Sequence, residues 1–302
     1  MICPICGKEN IKKKPSQHLH FFYKCLNCGD YFHLEGPPPI YEESYFTEEG
    51  KPSVFSKIFS PLSNLFLYFR LRMIYKAIGE TKWPILDYGC GNAKLVRYLF
   101  ARGLNIEGFD PSLSAVQLSQ KEGAPVFNTI PNKQYEMIMF WHSLEHSDTP
   151  QEDIKKCLNF LKPNGKLLIA VPNGDSLEAL VGRGNWFCYD WPFHRVHFTP
   201  SSLEKMLNNI GLKVISMDHF NPEYTVSSLV QTFLNLFLPK NSLYSALSNR
   251  RIEGSRAKLF FLVLISVLLI LLFSPLLLLF YFAGLITRRS AGIIVVADLV
   301  DR

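Results

Sequence analysis

Three groups of residues have the types and spacing to do chemistry. Cys3-Pro4-Ile5-Cys6 and Cys25-Leu26-Asn27-Cys28 are two CxxC pairs separated by 18 residues. A CxxC turn points two thiolates at one centre, and two such turns close a tetrahedral zinc site that keeps no position open for a reacting water. Gly7 and Gly29 each follow the second Cys of a pair, where a positive φ lets main-chain amides approach the sulfurs. The expectation is a structural zinc held by Cys3, Cys6, Cys25 and Cys28, with His18, His20 and His33 as surface histidines. The second group is Asp87-Tyr88-Gly89-Cys90-Gly91-Asn92, with Asp110 following Gly91 by 19 residues. Glycines at a strand-to-helix turn let backbone approach a ligand closely, and a carboxylate ending the next strand accepts hydrogen bonds from ribose hydroxyls. Position 94 is Lys where a dinucleotide GxGxxG needs its third glycine, which removes support for a bound pyrophosphate. The third group is His142, His146, His194 and His197, imidazoles suited to moving a proton near neutral pH.

The elements that must position these residues alternate. Apolar strands are predicted at 85–88, 105–110, 125–127, 136–141, 166–172, 213–217 and 292–298, and helices at 93–102, 112–122, 151–161 and 201–209, the third closed by a turn at 162–165. This rhythm predicts an α/β fold, a doubly wound, mostly parallel sheet of seven strands that binds ligands beyond the carboxyl ends of its strands. The domain reading is 1–34 for the cysteine module and 35–83 for a linker (Gly36-Pro37-Pro38-Pro39) with lead-in helices. The sheet domain takes 84–218 plus 291–302, and 219–290 is a helical insert before the last strand.

Composition narrows the classes. The 302 residues carry a net charge of +6, too mild to coat a nucleic acid but compatible with an anionic membrane face. A hydrophobic content of 48% with 19% charged residues excludes intrinsic disorder. Seven cysteines with CxxC pairs suit metal binding in a reducing compartment, and the N-terminal MICPICGKEN has no apolar core of a signal peptide. The apolar excess sits at 259–286, 28 positions without a charge. One straight helix there would be about 42 Å long against a hydrocarbon core of about 30 Å. The predicted strands on either side belong to one sheet, so both ends lie on one side of any membrane. Ser274-Pro275 is therefore expected to divide the segment into a bent hairpin that dips into one leaflet. Arg250, Arg251, Arg256 and Lys258 flank one end and Arg288 and Arg289 the other, which places both ends at the cytoplasmic face. Apolar helical spacing at 226–238 suggests a second interfacial segment.

ILDYGCGNAKL, IEGFDPS, YEMIMFWHSLEH and FLKPNGKLLIAVPN, in this order, resemble the class I S-adenosylmethionine-dependent methyltransferases across 84–218, and the cysteine module resembles a zinc ribbon. The run from Trp186 to Pro200 resembles a subgroup that methylates small molecules or lipid- and glycan-linked intermediates. The resemblance implies a Rossmann-like domain in which Asp87, Gly89 and Gly91 cradle the methionine moiety and Asp110 holds the ribose. It places Phe127 and Asn128 near adenine, and Trp141 and His142 near the transferable methyl. His142 and His194 lead as candidate bases, and Trp186, Phe187, Tyr189 and Trp191 as a lid or acceptor wall. Glu145-His146 resembles a divalent-ion site of some quinone-pathway relatives. The implied activity is O-methylation of a small-molecule, lipid-linked or glycan-linked acceptor at the inner face of the cell membrane. The alternatives are an RNA methyltransferase docking through its zinc module and a non-catalytic cofactor-binding scaffold. Modest charge and the lack of an Asn-Pro-Pro-Tyr motif count against nucleic acid.

Overall fold

The computed structural model describes residues 1–15, 21–33, 54–80, 82–247 and 256–299. His18, His20, the prolines at 37–39, Arg250 and Arg251 lie outside the described residues. From the N-terminus come β1 (Ile11–Pro15), β2 (Phe21–Cys25), β3 (Tyr31–Phe32) and α1 (Val54–Ile78). There follow β4 (Ile85–Tyr88), α2 (Lys94–Phe100), β5 (Ile106–Phe109), α3 (Leu113–Lys121), β6 (Val126–Phe127), β7 (Tyr135–Trp141) and α4 (Pro150–Leu158). The chain continues through β8 (Leu161–Pro172), α5 (Leu177–Gly182), β9 (Val196–His197), α6 (Pro200–Asn209) and β10 (Leu212–Asp218). It closes with α7 (Pro222–Leu234), α8 (Ser242–Leu247), α9 (Arg256–Ile286) and β11 (Gly292–Leu299).

The apolar runs of β4, β7 and β8 are buried on both faces, as strands in the middle of a covered sheet must be. The sheet order is β10-β11-β8-β7-β4-β5-β6. Neighbours from β8 through β6 run parallel, and β11 is antiparallel to both β8 and β10. Alternating side chains of β7 feed two cores. Ile138 and Phe140 pack with Ile154 of α4 and Leu203, Met206 and Leu207 of α6, while Met137, Met139 and Trp141 pack with α1, α2 and α3. The seven-stranded, Rossmann-like sheet expected from the sequence is present. Residues 162–165, expected as a closing turn, instead lie within β8. The pairing jumps from Tyr135↔Leu161 to Met137↔Lys166, so the extra residues bulge, with Asn164 at φ 65°.

Two attachments depart further from expectation. The cysteine module is completed by a strand of the main body: β9 joins its sheet through Tyr31↔His197 and Phe32↔Val196. Cys3, Ile5, Cys25 and Phe32 share one core with Leu144, Val196 and Phe198. His33, expected at the surface, is 1% exposed and accepts a hydrogen bond from the Trp191 indole.

The apolar segment is one continuous helix, not a hairpin broken at Pro275. Proline there removes the N–H that Leu271 O would receive, and the Ser274 hydroxyl donates to that carbonyl at 2.9 Å. The helix therefore continues for about 46 Å. Leu259, Val263, Ser266, Ile270, Phe273, Leu277, Phe280 and Gly284 form its covered seam at alternating spacings of four and three. Phe273 meets Phe233 and Phe237 near the end of α7.

Candidate active site

β4 delivers the chain into a turn that needs glycine, with Gly89 at φ 75° and Gly91 at φ 54°. A Cβ on Gly89 would lie 2.6 Å from Ser143 Cβ. The Gly89 and Cys90 amides both donate to Phe109 O, at 2.7 and 3.1 Å. Asp110 directly follows β5 and clips the turn to the start of α3: Oδ2 accepts from Gly91 N at 2.8 Å and Oδ1 from Ser112 N at 2.9 Å. Each carboxylate oxygen keeps a lone pair for a further donor such as a sugar hydroxyl. Asp87 is 4% exposed, and burial pushes its carboxyl up to about 7, with Arg70 opposing and Asp110 adding to the rise. A buried acid of this kind suits an incoming ammonium group. Asn128 follows β6 beside half-exposed Phe127, and Trp141 ends β7 with its buried indole N–H unpartnered. Asp87, Gly89, Gly91, Asp110, Asn128 and Trp141 thus gather at the carboxyl ends of four adjacent strands. A main-chain cradle, a carboxylate for an ammonium, a second for a ribose and an orphaned indole donor fit S-adenosylmethionine.

The histidines converge on one buried acid. His142 has φ 51° and its ring stacks on Tyr224 at 4.0 Å. The Asn221 side-chain amide donates to His142 Nε2 at 3.1 Å, while Nδ1 lies 3.4 Å from Glu145 Oε1. Burial draws the His142 imidazole down to about 3, against the pull of Glu223. His194 lies beyond Glu145. Its Nδ1 donates to Cys188 O at 2.8 Å and its ring meets His146 edge-on at 4.8 Å. Glu145, His146 and His194 each offer a ligand atom within 4.8 Å of the others. Both Glu145 oxygens are buried without a hydrogen bond, and burial raises this carboxyl against the pull of His146 and His194.

Four residues here had not been singled out. Arg70 on α1 stacks over Trp141 at 5.0 Å and forks onto Glu223 of α7 at 2.8 and 3.0 Å. Asn221 and Tyr224, which hold His142, are the N-cap and an early residue of α7. The helix start Asn221-Pro222-Glu223 is legible as a cap, but nothing local says which strand end it covers. Of the four aromatics expected to form a lid or wall, Trp186 is fully buried and packs, whereas Tyr189 lines a cleft.

The four thiols of the N-terminal module lie within 4.8 Å of one another, with Cys3–Cys28 at 3.6 Å and Cys6–Cys25 at 3.4 Å. The Cys28 thiol holds Cys3 down to about 5 as a thiolate, while burial pushes Cys6 up to about 11. The two knuckles repeat one geometry: Gly7 N donates to Cys3 O and Gly29 N to Cys25 O, both at 2.9 Å. This donor set fits a tetrahedral zinc ion.

A methyltransferase domain model matches residues 54–217, more than half of the 302 residues, and includes α1. The ubiquinone biosynthesis O-methyltransferase of Rickettsia canadensis (strain McKiel) is 23% identical over 184 residues, which is 54% of this chain and 78% of that one. The enzyme of the same name from Coxiella burnetii (strain Dugway 5J108-111) is 28% identical over 176 residues, 51% of this chain and 74% of that one. Among solved structures, a chain from the complex between the Haloferax volcanii Trm112 methyltransferase activator and a methyltransferase superposes with a TM-score of 0.50. It is 12% identical, over 82% of this chain and 95% of that one. A SAM-dependent methyltransferase from Archaeoglobus fulgidus gives 0.49 at 18% identity, over 78% and 93%. The match spans more than half of the chain, and the chain belongs to the methyltransferase-domain family, as a class I S-adenosylmethionine-dependent methyltransferase.

Proposed function

We propose that this methyltransferase works at a membrane surface on the cytoplasmic side and methylates an oxygen of a small-molecule, lipid-linked or glycan-linked acceptor. The observation that carries the reading is α9. Outside its covered seam, thirteen large apolar side chains from Phe260 to Ile286 are exposed, far more contiguous apolar surface than a free monomer shows to water. The helix leaves the sheet after β10 and returns as β11, the adjacent strand, so a bilayer that takes up this face holds the active site against it. The similarity to ubiquinone biosynthesis O-methyltransferases supports oxygen as the target and a small or lipid-like acceptor.

In this reading Asp87 pairs with the methionine ammonium, the Gly89–Gly91 backbone cradles the methionine chain, and Asp110 accepts from the ribose. Phe127 and Asn128 border the adenine, and Trp141 lies near the sulfonium. The bound cofactor supplies an electrophilic methyl. The acceptor oxygen bonds to it as the sulfur–methyl bond breaks, and the hydroxyl proton leaves to an imidazole. His194, neutral through burial and donating through Nδ1 to Cys188 O, keeps an Nε2 lone pair for that proton; His142 takes it only by releasing the Asn221 amide from its Nε2, and Glu145 beside both rings balances the charge that arrives. Cys3, Cys6, Cys25 and Cys28 hold a structural zinc.

Labelled-methyl incorporation into fractionated extracts, with and without the protein, tests the acceptor class. Label is expected in the lipid fraction, and label in RNA would overturn the reading. By calorimetry, Asp110→Ala should weaken S-adenosylmethionine binding by more than about 100-fold, since it removes both the ribose acceptor and the clip on the turn. Unchanged affinity would refute its role.

A further inference from the structure

The cysteine module and the main body enclose a cleft of about 560 Å³. Phe22, Lys24 and Tyr31 come from the module, and Arg183, Tyr189 and His197 from the body. His197 is 2% exposed and lines the cleft with neither ring nitrogen hydrogen-bonded. Phe22 and Tyr189 lie 5.7 and 4.7 Å from its imidazole and 4.8 Å from each other, so the polar ring sits among aromatic faces. The charge is cationic: Lys24, Arg183 and Arg289 outweigh Asp175, which pairs with Arg289 at 2.7 Å.

The placement matters as much as the lining. Gly174 and Asp175 follow β8, so the cleft opens at the sheet edge that carries the glycine turn, two strands from β4 in the order β8-β7-β4. Two strand spacings are about 10 Å. Arg289 lies just past the end of α9, so the cleft also opens where the exposed apolar helix rejoins the body.

We infer that this cleft holds a phosphate-bearing sugar headgroup of the acceptor, with the cysteine module as one wall. Lys24 and Arg183 pair with the phosphate. Phe22, Tyr31 and Tyr189 offer faces to the sugar ring. The buried His197 imidazole, with neither nitrogen hydrogen-bonded, has one donor and one acceptor to give to a hydroxyl that reaches the cleft wall. The inference rests on the membrane methyltransferase reading and names its substrate class.

The test is calorimetry on the zinc-loaded, detergent-solubilised full chain, titrated with hexose 1-phosphate, hexose and inorganic phosphate. S-adenosylmethionine is titrated separately, so failure of the methyltransferase reading is seen on its own. Hexose 1-phosphate should bind at least tenfold more tightly than either fragment. Lys24→Gln and Arg183→Gln should each weaken it about tenfold with cofactor affinity unchanged, while Lys213→Gln on exposed β10 should do nothing. A second arm presents the hexose phosphate on a polyprenyl chain in vesicles. Tighter binding there assigns the lipid-linked form, and equal binding assigns the soluble one. No binding of hexose 1-phosphate in either arm, or equal binding by both cleft variants and the wild type, overturns the proposal.

Discussion

The cysteine module and α9 are both additions to one sheet, yet they are held by opposite means. The module sinks Ile5 and Phe32 into the shared core and leaves only a few apolar residues, such as Ile2 and Leu26, outside. Ile5 and Phe32 are at most 1% exposed, Gln151 donates to Ile5 O at 2.6 Å, and Thr199 N donates to Asp30 Oδ1 at 3.1 Å. Helix α9 spends only a narrow seam on the body and shows the rest of its apolar surface. A region closed on itself carries stability, whereas one left open carries an unmet preference for something apolar. The same body therefore has one attachment packed into its core and one that leaves a broad apolar face uncovered.

The comparison can be broken most forcefully from the module. Cys25→Ser should remove the metal and uncover Ile5 and Phe32, lowering Tm by about 10 °C in scanning calorimetry, a loss of several kcal/mol for a chain of this size. Zinc analysis of the purified chain checks the cause, and a Tm unmoved by the change would mean that the thiols are not a staple. The matching experiment on α9 is the triple change Leu268→Lys, Leu272→Lys and Leu279→Lys, all on exposed positions. Flotation with vesicles should shift from mostly bound to mostly free, because each lysine is costly at membrane depth, while Tm moves by no more than about 2 °C. A Tm loss as large as that of Cys25→Ser would erase the distinction between the two regions.

The glycine turn should respond to pH through neither attachment. The Asp87 carboxyl, pushed up to about 7 by burial, must shed its proton to receive an ammonium. Cofactor affinity should therefore rise about tenfold per pH unit below 7 and level off above. Asp87→Asn should flatten the profile measured by calorimetry from pH 6 to 8. The smallest effect belongs to Ser274→Ala. Losing the hydroxyl that serves Leu271 O should lower helicity only slightly, with a Tm change of about 1 °C.

What could be foreseen follows the range of the interaction. The glycine turn, Asp110, the alternating strands and the CxxC spacing are local, and their places were legible residue by residue. The continuity of α9 was not, because Pro275 is the stronger signal and its rescue depends on where one serine hydroxyl turns. Nor was β9, two residues whose pairing with Tyr31 and Phe32 spans most of the chain. The contacts of Arg70, Asn221 and Tyr224 on the site arise from helices packing over a sheet end, which no periodicity encodes. His142 and His194 were found as types, but their meeting at Glu145 is a property of the fold.

The pairing of Phe32 with Val196 also bears on how the chain is made. Val196 leaves the ribosome about 160 residues after Phe32, an interval of about 10 to 30 s at common rates of synthesis. For that time the module's sheet waits with an open edge and, if metal has not arrived, four oxidisable sulfurs. The module's sheet is thus completed only after most strands of the main sheet have been made, and its protection during translation becomes part of the molecule's biology.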